Sequence, residues 1–177
     1  MKGKLTINGK EFEVEIDNTT LDAITRKRRT GYERVAHNEV HYFADTMDEH
    51  MDGVDSDSDD YDRIDDTMYK NADYYSDKSV ARNNARADTL MRRLRRFAAE
   101  HGGIPSAKDW EDIYKSKYCI GYDYSNFALS ICVNQKFCHA FKIHFLSQSA
   151  AKQAIDLFHD DLLWYFTEYQ PMLYQEV

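Results

Sequence analysis

KYCIGYDYSNFALSI, residues 117–131, gives the clearest strand pattern in this 177-residue chain. Bulky apolar residues alternate with small ones on both sides of a short polar turn, DYSN, which is typical of a β-hairpin. Placing the two apolar faces together pairs Ile120 with Ile131 and sets Cys119 opposite Cys132. We therefore expect an antiparallel hairpin with one apolar face and two facing thiols on the other.

The residues after this hairpin predict one more strand and two helices. AFKIHF (140–145) alternates aromatic and aliphatic residues with polar ones, which favours a third strand. Ser147 is a candidate N-cap for a helix that runs through Phe158. DDLLWYFTEY (160–169) predicts a last helix, and we expect Pro171 to end it.

The middle of the chain repeats this order of elements. NEVHYFAD (38–45) predicts a strand, and MYKNADYY (68–75) predicts its returning partner. Apolar residues recur every three or four positions over 77–101, which indicates a helix. Ser106 is a candidate cap for a second short helical piece.

A faint internal repeat relates the two parts. YSDKSVAR (75–82) aligns without gaps on FLSQSAAK (145–152), with an aromatic residue that closes a strand before a helix begins. The repeat predicts an internal β-β-α duplication. The fold class that we expect is α+β, with antiparallel sheets and a long Arg-rich helix.

The N-terminal residues predict a separate small element. KLTINGKEFEVEI (4–16) alternates charged and apolar residues around the Asn-Gly pair at 8–9, the strongest short signal for a hairpin turn. A short helix at about 20–29 follows, with its cations at the negative C-terminal pole. We expect two segments: 1–30, holding this hairpin and helix, and 31–177, forming the α+β domain.

Charge is concentrated in one place. DTMDEHMDGVDSDSDDYDRIDD, residues 45–66, holds ten Asp and one Glu against a single basic residue, Arg63. The run therefore contributes −10, more than the −8 of the whole chain, and the remainder is slightly basic. A charge excess confined to one run indicates a specific role for it.

Three interpretations of the run are open. It could be a solvated loop that keeps the chain soluble. It could bind a divalent cation weakly, because Asp55, Asp57, Asp59 and Asp66 fall at EF-hand positions 1, 3, 5 and 12, although position 6 is Asp60 where that loop needs Gly. It could imitate nucleic acid, because carboxylates on extended backbone approach the linear charge density of DNA. The partner-binding residues of this last hypothesis are Asp55, Asp57, Asp59, Asp60, Asp62, Asp65 and Asp66, with Tyr61 and Tyr69 as aromatic anchors.

The Arg-rich helix gives an alternative site. Arg92, Arg93 and Arg96 are expected to point away from its apolar stripe. They could pair internally with the acidic run, or they could form a phosphate-binding surface for RNA or DNA.

Catalysis has little support in the sequence. Cys138, His139 and His144 are the nearest approach to a nucleophilic group, but neighbours on a strand point to opposite faces. The metalloprotease, P-loop and dinucleotide-binding patterns are absent. We expect a non-enzymatic protein without cofactor or metal, with its three cysteines as thiols in the cytoplasm. The N-terminus lacks the apolar stretch of a secretory signal and no apolar run approaches the length of a membrane span.

The order of these segments resembles a family of small phage and prophage proteins of Gram-positive bacteria. The resemblance rests on TGYERVAHNEVHYFAD, the acidic run with YDRIDD, YYSDKSVARNNARADTLMRRLRRFAAEHGG, KYCIGYDYSNFALSI and IHFLSQSAAKQAIDLF, and it covers about residues 30–170. It implies an accessory phage protein that counters host defence, such as an anti-CRISPR protein that occupies the Arg-lined site where an RNA-guided nuclease reads DNA.

Our leading hypothesis is therefore a phage-encoded inhibitor of a host defence nuclease, in particular a type II CRISPR effector. It would act in the cytoplasm of the infected bacterium by presenting the acidic run in place of DNA phosphates. The alternative is a nucleic-acid-binding phage accessory protein that uses the Arg-rich helix.

Overall fold

The computed structural model describes residues 2–7, 10–15, 30–45, 53–101, 103–136 and 142–173. Its contacts divide the chain into two units, with the boundary between Thr30 and Gly31. In the first unit, β1 (Lys2–Ile7) and β2 (Lys10–Glu15) form an antiparallel pair in which Ile7 lies opposite Lys10. This confirms the N-terminal hairpin, whereas its Asn-Gly turn and the helix expected at 20–29 lie outside the described residues.

The second unit begins with a two-stranded antiparallel sheet, β3 (Val40–Ala44) and β4 (Val54–Ser58). Tyr75 forms an isolated bridge with Tyr42 on the other side of β3. The prediction that 68–75 is the returning strand is wrong, because the return is made by β4 within the acidic run. Residues 68–70 end a helix instead.

Along the described chain, three helices follow β4 and precede the second sheet of this unit. They are α1 (Arg63–Lys70), α2 (Lys78–His101) and α3 (Ala107–Glu111). The long helix predicted over 77–101 is thus confirmed. Ser106 accepts the N–H of Asp109 and caps α3 as expected, in a capping box with the Asp109 side chain.

A three-stranded antiparallel sheet, in the order β6-β5-β7, follows. It comprises β5 (Lys117–Asp123), β6 (Ala128–Asn134) and β7 (His144–Phe145). The predicted register is confirmed, with Ile120 opposite Ile131 and Cys119 opposite Cys132. Of the described residues of the predicted third strand, 142–145, only the last two pair with β5, while 140–141 lie outside the described residues.

The C-terminal helices are α4 (Gln148–Leu157), α5 (His159–Trp164), a π-helical turn (Tyr165–Tyr169) and α6 (Gln170–Leu173). Ser147 caps α4 by accepting the N–H of Ala150, as expected. The prediction that Pro171 ends the last helix is wrong, because the helix continues to Leu173. The N–H of Gln170 bonds to the carbonyl of Tyr165, and this wider turn gives room just before a residue that has no N–H of its own.

Helix α2 connects two clusters of buried side chains. At 24 residues it is about 36 Å long, enough to cross both sheets. Near its start, Ala81 and Ala85 pack with Val54 and Tyr75 in the smaller cluster. Its second half packs on α4, α5 and the three-stranded sheet in the larger cluster, whose buried members are Leu90, Leu94, Phe97, Ala98, Phe145, Ala150, Ala151, Ala154, Phe158 and Leu162. The described chain is therefore α+β with antiparallel sheets, as predicted.

Candidate partner-binding surface

The acidic run is folded over most of its described length. From residue 53 onward it forms β4, a tight turn and the start of α1. Val54 is buried against α2, whereas Asp55 and Asp57 on the opposite face of β4 are exposed. The interpretation of the run as a simple solvated loop is therefore wrong for residues 53–66.

Two of the carboxylates bond to the open edge of β4. The N–H of Ser56 donates to Oδ1 of Asp55 at 2.7 Å, and the N–H of Ser58 donates to Oδ1 of Asp57 at 2.8 Å. On the other edge, β4 pairs with β3. The acidic side chains thus satisfy backbone donors that would otherwise face solvent.

Asp59 directly follows the last residue of β4 and is fully buried. Its carboxylate accepts from Nε of Arg34 at 2.9 Å and from Nη2 of Arg34 at 3.1 Å, a two-point contact. It also accepts from the hydroxyl of Tyr74 and from the N–H of Tyr61. Burial alone would raise the pKa of Asp59, but the hydrogen bonds from Arg34 and Tyr74 hold that pKa well below its usual range.

Arg34 joins the buried carboxylate to the exposed surface. Its Nη1 pairs with Asp66, and its guanidinium lies 4.6 Å from the ring centre of Tyr61 and 5.9 Å from that of Tyr69. Hydrogen bonds to Asp59 and then Asp66 raise the pKa of Arg34 above its usual value, so it remains charged. One arginine thus fixes two carboxylates and two tyrosines.

The start of α1 uses two more carboxylates. Asp62 accepts the N–H groups of Ile64 and Asp65, while Oδ2 of Asp65 accepts the N–H groups of Asp60 and Asp62. This is a capping box made of two aspartates. Asp65 is buried, but Asp62 is exposed although it caps the helix.

Tyr61 is held in place although half of its surface faces solvent. Its φ of +57° is rare for a bulky residue. The bond from its N–H to Asp59, the Arg34 contact and a hydrogen bond from its hydroxyl to the carbonyl of Val35 at 3.4 Å fix this conformation. A fixed exposed ring is suited to binding, because little side-chain freedom is left to lose.

The structure divides the predicted partner-binding residues into two sets. Asp55, Asp57, Asp60 and Asp62 are exposed, and none has a cationic partner within the described part of the chain. With the exposed Tyr61, Ile64 and Tyr69, we call these seven residues the acidic surface. Ile64, 61% exposed, was not predicted.

The remaining predicted carboxylates serve the fold. The expectation that Asp59 and Asp65 face solvent is wrong, because both are buried among internal donors. Asp66 is partly exposed but paired with Arg34. The EF-hand interpretation also fails on this geometry, since Asp55 and Asp57 lie on a strand and the Asp59 carboxylate is bonded to Arg34.

The Arg-rich helix is partly used within the chain. Arg92, Arg93 and Arg96 are exposed, as predicted. Arg93 pairs with Asp161 at 3.2 Å and lies over the ring of Phe158. Among the described residues, the acidic run forms ion pairs with Arg34. The possible pairing of this helix with residues 46–52 of the run falls on residues outside the described ones.

His41 lies beneath the acidic surface. It is fully buried and stacks on Tyr74 with ring centres 4.3 Å apart. Within the described part of the chain neither of its ring nitrogens has a hydrogen-bond partner, and Nε2 is 4.0 Å from Oδ1 of Asp65. No local pattern in the sequence predicts this placement or the role of Arg34, since they depend on contacts between residues 24 and 25 positions apart.

The residues considered for catalysis do not assemble into a described site. Cys138 and His139 lie outside the described residues, while His144 is buried and meets Trp110 edge to face. Among the described residues, no group of three or more His, Cys, Asp or Glu side chains is placed to hold a metal ion. None of the described helices is both long and apolar enough to cross a membrane.

Comparison with protein-family models, curated proteins and solved structures finds no match to this chain.

Proposed function

We propose that this protein is a phage-encoded inhibitor of a host defence nuclease, acting in the cytoplasm of the infected bacterium. It would bind a type II CRISPR effector and occupy the cationic surface that otherwise holds DNA. It would act by binding alone, without catalysis or a cofactor. The observation that carries the proposal is the acidic surface, in which four exposed carboxylates and a fixed, exposed aromatic side chain lie within residues 55–62.

The spacing of the carboxylates defines what they could imitate. Asp55 and Asp57 project from the same face of β4, about 6.8 Å apart along the strand. One DNA strand carries a charge about every 3.4 Å along the helix axis, so β4 supplies a sparser row than a phosphate backbone. The acidic surface therefore suits a short stretch of a cationic groove, with Tyr61, Ile64 and Tyr69 adding the apolar contacts that charge alone lacks.

The ion pairs of Arg34 reduce the number of carboxylates that are free to contact a partner. Arg34 neutralises Asp59 and Asp66, so those two carboxylates stabilise the surface and do not offer charge to a partner. Electrostatic attraction from the four remaining carboxylates would mainly raise the association rate, and it would weaken as salt is added.

The test is inhibition of target cleavage by a panel of type II RNA-guided nucleases. A variant with Asp55→Asn, Asp57→Asn, Asp60→Asn and Asp62→Asn removes the charge but keeps the oxygen acceptors at β4 and at the α1 cap. We expect it to bind the nuclease at least about 10-fold more weakly. The matched control removes four exposed charges elsewhere, with Glu100→Gln, Glu111→Gln, Asp156→Asn and Asp160→Asn, and should inhibit like the parent.

Equal inhibition by both variants would show that another surface binds the target. Failure of the parent protein to bind or inhibit any nuclease of the panel would overturn the proposal.

A second candidate function follows from the exposed side chains of Arg92 and Arg96, which have no carboxylate partner among the described residues. In this case the protein binds nucleic acid through α2. Direct binding of DNA or RNA at low salt that is lost in an Arg92→Gln, Arg96→Gln variant would favour this function over the first.

A further inference from the structure

The sheet behind the larger core brings two cysteines together. Cys119 on β5 lies directly opposite Cys132 on β6. Opposite residues of an antiparallel pair have Cα atoms about 4.5 or 5.5 Å apart, depending on the hydrogen-bonding pattern. Both values fall within the range of about 4.4–6.8 Å that a disulfide requires. The backbone is therefore already positioned for a cross-strand bond.

The sulfur of Cys132 lies close to β5. A Cβ atom built on Gly121 would come within 2.9 Å of this sulfur, a distance that a real side chain would not tolerate. The glycine thus leaves space that the thiol of Cys132 occupies next to the neighbouring strand. A side chain at 121 would have to displace this sulfur.

The two thiols differ in access and environment. Cys132 is exposed, whereas Cys119 is fully buried and accepts a hydrogen bond from Nδ2 of Asn134 at 3.3 Å. Burial, and next the proximity of Cys132, raises the pKa of Cys119, while Lys142 acts in the opposite direction. On its other side, Cys119 lies opposite His144 on β7. An external reagent would therefore reach Cys132 first.

We propose that Cys119 and Cys132 form an oxidisable dithiol, a modification site that a low-molecular-weight disulfide such as glutathione disulfide closes. This inference is independent of the proposed function, because neither cysteine belongs to the acidic surface.

The reaction proceeds in two thiol–disulfide exchanges. The thiolate of Cys132 attacks one sulfur of the external disulfide, which forms a mixed disulfide and releases one thiol. Cys119 then loses its proton and attacks the sulfur of Cys132, and the second thiol leaves. Two protein thiols are oxidised to one disulfide, and one external disulfide is reduced to two thiols.

Closure would link β5 to β6 four residue pairs away from the turn of this hairpin. A disulfide that closes the loop of residues 119–132 restricts the unfolded chain. This is expected to raise the unfolding temperature by about 5–10 °C. If the disulfide is strained, the unfolding temperature will rise less or not at all. Closure of the bond itself is therefore measured separately, by mass.

The first experiment uses the full chain and a Cys138→Ser variant. Each protein is reduced, treated with glutathione disulfide while folded, and then alkylated under denaturing conditions. Intact mass should show two thiols lost without retained glutathione in both proteins. Peptide mapping without reductant should link the peptide that contains Cys119 to the one that contains Cys132.

The single variants test the order of the two steps. Cys119→Ser should keep glutathione bound at position 132, because no second thiol displaces it. Cys132→Ser should remain unmodified at the buried Cys119 while the protein is folded. The parent protein decides the proposal even if these variants fail to fold. A stable glutathione adduct on Cys119 or Cys132 of the parent, a bond from either of them to Cys138, or three thiols still free would each overturn the proposal.

Discussion

The second unit contains two halves that are built alike, residues 31–101 and residues 103–173. In each half a hairpin is followed by an aromatic residue that returns to pair with the first strand of that hairpin. Tyr75 exchanges backbone hydrogen bonds with Tyr42, and Phe145 pairs with Tyr118. Both returning side chains are buried.

The same correspondence holds at the residue after each returning aromatic side chain. The N–H of Ser76 donates to the carbonyl of Gly31 at 2.8 Å, and the N–H of Leu146 donates to the carbonyl of Gly103 at 3.3 Å. Both glycines have positive φ, +86° and +77°, a conformation that other residues rarely adopt. Each half therefore begins at a glycine that anchors the chain just before its helix.

The helices that follow also begin alike. Asp77 accepts the N–H groups of Ser79 and Val80, and Ser147 accepts that of Ala150. Asp77 and Ser147 occupy the same place in the alignment of 75–82 with 145–152.

The halves differ in what separates the hairpin from the returning aromatic residue. In the first half this segment contains the buried Asp59 and helix α1, whereas in the second it leads from β6 to β7. The first half has the smaller apolar cluster and adds an ion pair between the partly exposed Arg34 and the buried Asp59. The same order of elements can therefore support a large apolar core in one half and a polar, exposed surface in the other.

Removal of the returning aromatic side chains is expected to have the largest effect. Phe145→Ala and Tyr75→Ala should each lower the free energy of unfolding by about 3–5 kcal/mol, because each leaves a buried space the size of a ring. Chemical denaturation of both variants measures this. A cost below about 1 kcal/mol for either one would break the correspondence between the halves.

The ion pair between Arg34 and Asp59 tests what is particular to the first half. Asp59→Asn should lower the free energy of unfolding by about 3 kcal/mol, because it leaves Arg34 without its main partner. Asp57→Asn is the matched control on the same face of β4 and should cost less than about 0.5 kcal/mol, since Asp57 is exposed. Similar costs for the two variants would contradict the structural role of Asp59.

Acid should reduce the advantage of the parent protein over Asp59→Asn. The pKa of Asp59 is lower in the folded protein than in the unfolded chain, where an Asp titrates near about 3.9. Its contribution is therefore present above that value and is lost as the pH falls towards the folded pKa.

Denaturant titrations from pH 6 to pH 3 measure the difference between the two proteins. The other carboxyl groups with lowered pKa values, Asp77, Asp109 and Asp123, contribute to both proteins and largely cancel in this difference. Parallel pH profiles would show that Asp59 is not stabilised as an anion.

The helix caps should give the smallest and most closely matched effects. Asp77→Ala and Ser147→Ala should each cost about 1 kcal/mol in the free energy of unfolding, because each removes an acceptor for N–H groups in the first turn. If the two variants lose different amounts of unfolding free energy, the two caps differ in how much they stabilise their helices.

Local patterns predicted the second half better than the first. Alternation gave the register of β5 with β6, and cap residues gave the starts of α3 and α4. Strand β4 was missed because its one buried apolar residue, Val54, stands among aspartates that rarely form strands.

The sequence predicted which segment forms the candidate surface. It did not predict which of its carboxylates are exposed and which are buried or paired. Asp59 pairs with Arg34, which lies 25 residues earlier in the chain. A pair this far apart in sequence cannot be predicted from local spacing. The wider turn just before Pro171 likewise had no signal in the local pattern of the sequence.

The bonds from Asp55 and Asp57 to the backbone of β4 have a consequence for how this protein behaves in solution. A bare outer strand invites another chain to add to the sheet, and two bent, charged side chains discourage that addition. Replacement by alanine would remove the obstacle together with the charge, so such a variant could stack into multimers and appear inactive for that reason. Asparagine keeps an acceptor for each N–H, and light scattering on both kinds of variant would separate self-association from a lost electrostatic attraction.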